Sequence, residues 1–127
     1  MSEPIYLLDT NICIYVLGDA DSAAARHLAQ CDDGRVCVSA ISAAELWRWR
    51  DIGPGGNDVL RQFFVRVPVL PFDEQAARAY SRLPFRRGSF DRLIAAHALA
   101  RGLIVVTNDE RDFADLADLR IENWSRP

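Results

Sequence analysis

Five short apolar runs, separated by stretches of helical periodicity, most constrain what this chain can fold into. The runs begin near residues 5, 36, 69, 104 and 121, and "LIVVT" (103–107) is the clearest because β-branched residues dominate it. Parallel strands need crossover connections, usually helices, so this alternation predicts a mainly parallel sheet with helices on both faces. We therefore expect an α/β protein, a three-layer α/β/α sandwich around a short sheet, with residues 1–127 forming one domain.

Turn and capping signals divide the rest of the chain. "IGPGG" (52–56) is the clearest loop, and the prolines of "PVLPF" (68–72) are typical of an edge strand. Ser89 is in place to begin the last helix and Gly102 to end it. Helices are predicted over residues 11–18, 19–31, 40–51, 58–67, 73–83 and 89–102.

Charge and cysteine content exclude several function classes. The net charge of −3 argues against a protein that holds nucleic acid through bulk positive potential, and all 15 basic residues are arginine. Cys13, Cys31 and Cys37 lie among apolar neighbours without a C-x-x-C pair, so we assign them to packing rather than to zinc or catalysis. The apolar runs are far shorter than the roughly 20 residues of a membrane span. We expect a cytoplasmic protein without membrane contact.

A carboxylate at the end of the first strand is the main functional clue. In "IYLLDTN" (5–11) a run suited to a core ends on Asp9, and burying an ionised carboxylate costs roughly several kcal/mol unless a partner or a metal compensates. Reactive sites of parallel α/β sheets lie at the carboxyl ends of the strands. Asp109 follows "LIVVT", Glu45 follows the second strand, and Asp91 lies in the helix that enters "LIVVT". The four carboxylates are therefore expected to meet at one edge of the sheet.

Some of these acids also have a structural explanation. For Asp91 the structural explanation is an acid in the first helical turn that interacts favourably with the helix dipole. For Asp109 it is a turn residue in "TNDERD". Glu45 is harder to explain in this way because small and apolar residues surround it in "ISAAELW". Repulsion among clustered carboxylates is severe at low dielectric, and a hard divalent cation such as Mg²⁺ or Mn²⁺ relieves it. We therefore favour one metal site over four separate structural roles.

Four stretches of the chain form a specific combination: "LLDTN" (7–11), "SAISAAEL" (39–46), "FDRLIAAHALARGLIVVTND" (90–109) and "RDF" (111–113). The combination resembles the PIN-domain ribonucleases, and specifically the VapC toxins of bacterial toxin–antitoxin pairs, nearly from end to end. The resemblance implies a single PIN domain. It also implies a Mg²⁺-dependent endoribonuclease, with Mn²⁺ able to substitute, that hydrolyses RNA and leaves a 5′-phosphate.

Position by position, the resemblance implies catalytic and metal-binding roles for Asp9, Glu45, Asp91 and Asp109. Thr10 and Asn11 match the polar pair after the first acid, and Thr107 and Asn108 match the lead-in to the last. We expect Thr10 or Thr107 to hydrogen-bond a carboxylate or a metal-bound water, because such partners orient metal ligands. Asp112 is expected to support the site by capping backbone amides or by reaching the metal through a water.

The expected RNA substrate has to approach an acidic protein, which requires local positive charge. Arg86, Arg87 and Arg92 flank Asp91 in the sequence, and guanidinium groups suit phosphate oxygens. We predict RNA contacts for these three arginines. The alternative for each is an ordinary solvated side chain.

The resemblance implies a second partner, a VapB-type antitoxin. Arg48 and Trp49 are the predicted antitoxin contacts, and Trp47 is predicted to lie in the core. Contact with DNA is expected only through the antitoxin. A homodimer is also expected, and the apolar face of "DVLRQFFVRV" (58–67) is a candidate contributor.

Three other function classes fit parts of the same pattern less well than a nuclease. A response-regulator receiver domain needs a lysine, and this chain contains none. An Asp-nucleophile phosphatase needs a second Asp two residues after the first, where Asn11 stands. The remaining alternative is a catalytically inactive PIN-like module that binds RNA or protein. Such a module is expected to lack one or more of the four acids, all of which are present here.

Overall fold

The computed structural model describes residues 3–49 and 52–127. Within these two stretches five strands form one sheet, and they are β1 (Tyr6–Leu8), β2 (Val36–Ser39), β3 (Val69–Leu70), β4 (Ile104–Val106) and β5 (Ile121–Glu122). Their order across the sheet is β3-β2-β1-β4-β5, and every strand pair in this part of the chain is parallel. The predicted parallel sheet is confirmed, with the proline-bracketed β3 at one edge.

In the described residues, six α-helices and one 3₁₀ helix connect the strands. They are α1 (Thr10–Gly18), α2 (Ala23–Ala29), α3 (Ala40–Arg48), α4 (Gly56–Arg66), α5 (Glu74–Ser81), α6 (Phe90–Arg101) and the 3₁₀ helix η1 (Glu110–Phe113). Ser22 caps α2, which explains why that helix is shorter than predicted. The helix predicted over 40–51 extends to Arg48, and residues 50 and 51 lie outside the described residues. Sequence analysis did not predict η1 as an element.

Apolar side chains pack on both faces of the sheet. Leu7 and Leu8 are neighbours in β1 that point to opposite faces, as successive strand residues do. Leu8 packs in a cluster with side chains of α1, α2 and α4, whereas Leu7 packs in a second cluster with side chains of α6 and the segment after η1. The predicted α/β/α sandwich is therefore confirmed.

The chain changes direction across the sheet at β1. It runs from β1 through β2 to β3 on one side and then crosses to β4 on the other. Beyond the strand ends, the Asp9 N–H donates to the Val106 carbonyl at 2.9 Å, and the Thr107 N–H donates to the Glu122 carbonyl at 2.9 Å. The carboxyl ends of β1 and β4 thus form the topological switch point where α/β proteins bind ligands.

Two further features bear on the excluded function classes. All three cysteines carry free thiols, with Cys13 and Cys37 buried and Cys31 half-buried, and burial raises the pKa of each thiol. This agrees with the packing role expected of them.

Among residues 3–49 and 52–127, none of the helices has the length and apolar character needed to cross a membrane.

Candidate active site at the switch point

Asp9 is the first residue after β1 and is only 4% exposed. Its Oδ1 accepts a hydrogen bond from the Ile12 N–H at 2.9 Å, so the carboxylate caps α1. Burial raises the pKa of Asp9 to about 6, and the charges of Glu45 and Asp109 add to that rise, while hydrogen bonds from Thr107 and Ile12 oppose it. This cap was not predicted, although an Asp directly before a helical stretch is the usual signal of one.

Glu45 lies half-buried on α3 and faces α1. The Thr10 hydroxyl donates to Glu45 Oε1 at 2.6 Å and also lies 3.1 Å from the Ser42 hydroxyl oxygen. We expected Thr10 or Thr107 to hydrogen-bond a carboxylate, and Thr10 does so, since its hydroxyl donates to Glu45. Ser42 was missed, although its position three residues before Glu45 puts the two on one helix face.

Asp91 lies half-buried in the first turn of α6. Burial is the main reason that its pKa is raised, followed by a side-chain hydrogen bond with Asp112 and the charge of Asp9. Neighbouring carboxyl groups disfavour each other's ionised form, so one of them tends to keep a proton when no cation is bound. The side-chain hydrogen bond with Asp91 places Asp112, on η1, beside the acidic site, and its supporting role there stays a prediction.

Asp109 is exposed, immediately before η1. Its Oδ1 accepts from the Arg111 N–H at 3.2 Å, and its own N–H donates to the Thr107 hydroxyl at 3.0 Å. Beside it, the Asn108 Nδ2 group donates to the Tyr15 hydroxyl at 3.0 Å. The segment after β4 is therefore held by local hydrogen bonds while the charge of Asp109 still acts on Asp9.

An open pocket of about 380 Å³ joins three of the four predicted acids. It is lined by Asp9, Thr10, Asn11, Glu45, Gly88, Ser89, Phe90 and Asp91. Asp109 and Asp112 lie outside this lining. Within the two described stretches, no three His, Cys, Asp or Glu side chains are arranged so that they enclose a metal ion. The carboxyl oxygens are nevertheless of the kind that Mg²⁺ and Mn²⁺ prefer. Burial is the main reason that the pKa of Asp9 and of Asp91 is raised, and a bound cation would offset that burial as well as the repulsion between the carboxylates.

The predicted RNA contact of Arg92 is wrong. Its side chain is 1% exposed, and its Nη2 group donates to Asp115 Oδ1 at 2.6 Å, so the guanidinium is an internal ion pair rather than a surface cation. Arg86 lies 3.5 Å from the same oxygen and remains exposed. Arg87 is exposed as well, and none of the ion pairs found in the described part of the chain involves it.

The predicted core position of Trp47 is also wrong. Its side chain is 42% exposed and packs against Phe64, with 5.6 Å between ring centroids. Trp49, which follows the end of α3 at Arg48, is half-buried against the core instead. Arg48 is exposed, and both tryptophans line an open groove of about 430 Å³ beside the start of α4.

The fold and the acidic pocket together define a PIN-domain protein, and residues 6–119 match the family model described as PIN domain. The chain belongs to the VapC group of the PIN-domain family, so the resemblance seen in the sequence is confirmed.

Relatives and solved structures cover nearly the whole chain. It is 36% identical over 130 residues to the tRNA(fMet)-specific endonuclease VapC of Shigella flexneri. The aligned region covers 94% of this chain and 98% of the relative. It is 34% identical over 129 residues to ribonuclease VapC2 of Haemophilus influenzae, with 94% and 97% covered. The crystal structure of DNA-bound VapBC from Salmonella typhimurium is similar with a TM-score of 0.82 at 31% identity, covering 95% of this chain and 98% of that chain.

Proposed function

We propose that this protein is a divalent-metal-dependent endoribonuclease and the toxin of a VapBC-type toxin–antitoxin pair. The observation that carries the proposal is the pocket in which Asp9, Glu45 and Asp91 meet at the switch point of the sheet. The similar proteins of Shigella flexneri and Haemophilus influenzae carry the names endonuclease and ribonuclease. A catalytically inactive binding module is the less favoured alternative, since Asp9, Glu45, Asp91 and Asp109 are all present in the chain.

The donor set fits Mg²⁺, with Mn²⁺ as a substitute. The residues that would hold the ion are Asp9, Glu45, Asp91 and Asp109. When bound, the ion lowers the pKa of a water molecule and neutralises charge on the departing 3′-oxygen of the phosphodiester.

The neighbouring residues keep the carboxylates in place. The Ile12 N–H holds Asp9, and Thr10 holds Glu45 through its 2.6 Å hydrogen bond. The Thr107 side chain lowers the pKa of Asp9 and so favours the ionised form that binds a cation. Loss of such supporting bonds typically costs about 10–100-fold in metal affinity or activity. We therefore assign Thr10 and Thr107 to orienting the ligands and Asn11, which lines the pocket, to its polar rim.

A cleavage assay tests the activity. Transfer RNA is the first substrate to try, because the Shigella flexneri relative is named a tRNA(fMet)-specific endonuclease. The purified protein should cut RNA in Mg²⁺ or Mn²⁺ and stop in EDTA. Asp9→Asn should abolish cleavage, whereas Asp21→Asn, at an exposed acid in the turn before α2, should leave it unchanged. Undiminished cleavage in EDTA would contradict the metal-dependent mechanism.

A VapB-type antitoxin is the proposed protein partner, and three of the similar solved structures are VapBC assemblies. We assign Trp49 and Arg48 to the antitoxin contact because Trp49 lines the open groove beside α4. Expression of the protein alone should arrest bacterial growth, and co-expression of its antitoxin should restore it. Normal growth with abundant folded protein would count against the toxin role.

Self-association and location complete the proposal. Val59 and Val65 are exposed apolar residues on α4, which fits the predicted contribution of this helix to a homodimer. Analytical ultracentrifugation of the purified protein tests it. We expect the protein to act in the cytoplasm, where its RNA substrates occur, and to reach DNA only through the antitoxin.

A further inference from the structure

Two phenylalanine side chains beside the acidic pocket are exposed to solvent. Phe85 is 74% exposed and Phe90 is 54% exposed. Phenylalanine normally contributes its large apolar area to a core, so two exposed rings within six residues point to a contact with another molecule. Neither ring stacks on another aromatic ring of the described residues.

The position of the two rings relates them to the acids. Phe90 is the first residue of α6 and lines the pocket together with Asp9 and Asp91. Phe85 comes five residues earlier, before Arg86 and Arg87, and the chain then turns at Gly88 with φ of 70°. We call this segment, residues 85–90, the FRRGSF segment.

An internal ion pair anchors the FRRGSF segment to the body of the protein. The buried Arg92 guanidinium holds Asp115 at 2.6 Å, and the Arg86 guanidinium lies 3.5 Å from the same Asp115 oxygen. One carboxylate therefore ties the loop to α6 directly beside Asp91. The exposed rings thus stand on an anchored segment, which reduces the entropy lost when a ligand binds.

We propose that Phe85 and Phe90 stack on unpaired bases of RNA next to the phosphate that is cut, while Arg86 and Arg87 contact the phosphates between them. The inference rests on the proposed ribonuclease function and names the side chains that hold unpaired bases of its RNA substrate at that site. Aromatic rings interleaved with cations are how proteins bind unpaired RNA, whereas the bases of a duplex are already stacked.

Charge favours RNA over a protein as the occupant. An apolar protein surface that covered both rings would also cover Arg87, for which no ion pair is found in the described residues. RNA offers aromatic faces and phosphates together. The chain has a net charge of −3 and no lysine, so its affinity for RNA has to come from such a local arrangement.

Binding of a fluorescein-labelled single-stranded RNA of about 12 nucleotides, measured by fluorescence anisotropy in EDTA, tests the proposal without cleavage. Phe85→Leu and Phe90→Leu should each weaken binding at least about 5-fold, because leucine keeps the apolar surface and loses the aromatic face. Phe85→Trp and Phe90→Trp should bind the RNA as tightly as the wild type, because tryptophan keeps an aromatic face. Val69→Ala, at a 37% exposed apolar residue on the edge strand β3, is the matched control and should bind as the wild type does.

An abasic nucleotide placed at successive positions separates stacking from other causes. At the stacked position it should weaken binding by the wild type, and it should cause no further loss in the leucine variant that removes the same contact. Binding of the same sequence as a duplex should not depend on Phe85 or Phe90. Circular dichroism should show unchanged folding, since both side chains are exposed.

Several results would overturn the proposal. Leucine variants that bind like the wild type, or tryptophan variants that fail to restore binding, would refute stacking. Loss of self-association or of antitoxin binding, with RNA binding unchanged, would show that the rings face a protein. If both leucine variants cut RNA as fast as the wild type, stacking by Phe85 and Phe90 would be refuted, and the proposed ribonuclease function would stand. If RNA binding depends on the two phenylalanines but no RNA is cut, the ribonuclease function would be refuted, and the stacking would stand.

Discussion

Replacing Asp9 by asparagine should stabilise the protein at neutral pH when no metal is present. The side chain is 4% exposed, and its folded-state pKa of about 6 lies above the ordinary value of 3.8. Asparagine keeps an oxygen that can accept from the Ile12 N–H, so the cap of α1 is preserved. The substitution therefore removes a buried charge at little structural cost.

The size of the effect follows from the two pKa values. The gap between 3.8 and about 6 corresponds to about 3 kcal/mol, at roughly 1.4 kcal/mol per pKa unit. A carboxyl whose folded pKa is raised loses stability as the pH rises from its unfolded pKa to its folded pKa. The advantage of Asp9→Asn should thus be near zero at about pH 4, grow up to about pH 6, and remain at about 3 kcal/mol above that.

Urea unfolding in EDTA at a series of pH values measures this difference directly. Asp21→Asn, at an exposed acid, provides the control and should match the wild type throughout. Added Mg²⁺ should then stabilise the wild type more than Asp9→Asn, because an ion that binds only the folded state raises its stability by RT ln(1 + [Mg²⁺]/Kd), and the substitution raises the Kd.

A destabilised Asp9→Asn protein at pH 7 would refute this reasoning. It would mean that the ionised carboxylate is needed for the fold, for example as the cap of α1. A stability difference that did not change with pH would also refute it, since the folded pKa would then equal the unfolded one.

Two further predictions concern the other acids. Asp109→Asn should slow RNA cleavage at saturating Mg²⁺ by at least ~100-fold. Asp112→Asn should slow it by only about 10-fold, because the Asp112 carboxyl of the wild type bonds Asp91. The reverse order in single-turnover rates would identify Asp112 as the fourth ligand. Asp115→Asn should lower the melting temperature more than Asp118→Asn at an exposed acid, because it leaves the buried Arg92 guanidinium without its partner. Arg92 also holds the pKa of Asp115 below its usual range, so differential scanning calorimetry should find the gap shrinking as the pH falls through that pKa; an equal effect at all pH values would contradict the ion pair.

The order of elements could be predicted from the sequence because its signals are local. Ser89 and Gly102 mark the ends of α6 by side-chain capping and a left-handed backbone, and both lie within one turn of the helix they bound. The apolar run of β4 likewise predicts a buried strand by itself. The acids at the strand ends followed from the rule that sites of parallel sheets lie at their carboxyl edge.

The sequence could not indicate which side chains share an environment, because that depends on contacts between distant segments. Arg92 and Arg87 are the same residue type in the same stretch of sequence. Only Arg92 is buried, where its guanidinium is paired with Asp115, 23 residues away. The exposure of Trp47 depends on where α3 ends and on Phe64 from α4, and the contact between Asp91 and Asp112 depends on the turn of η1. The sequence by itself thus determined the elements and the residues that carry the chemistry. The tertiary structure decided which of these are buried, which are paired and which face the pocket, since burial and pairing are properties of the packed chain.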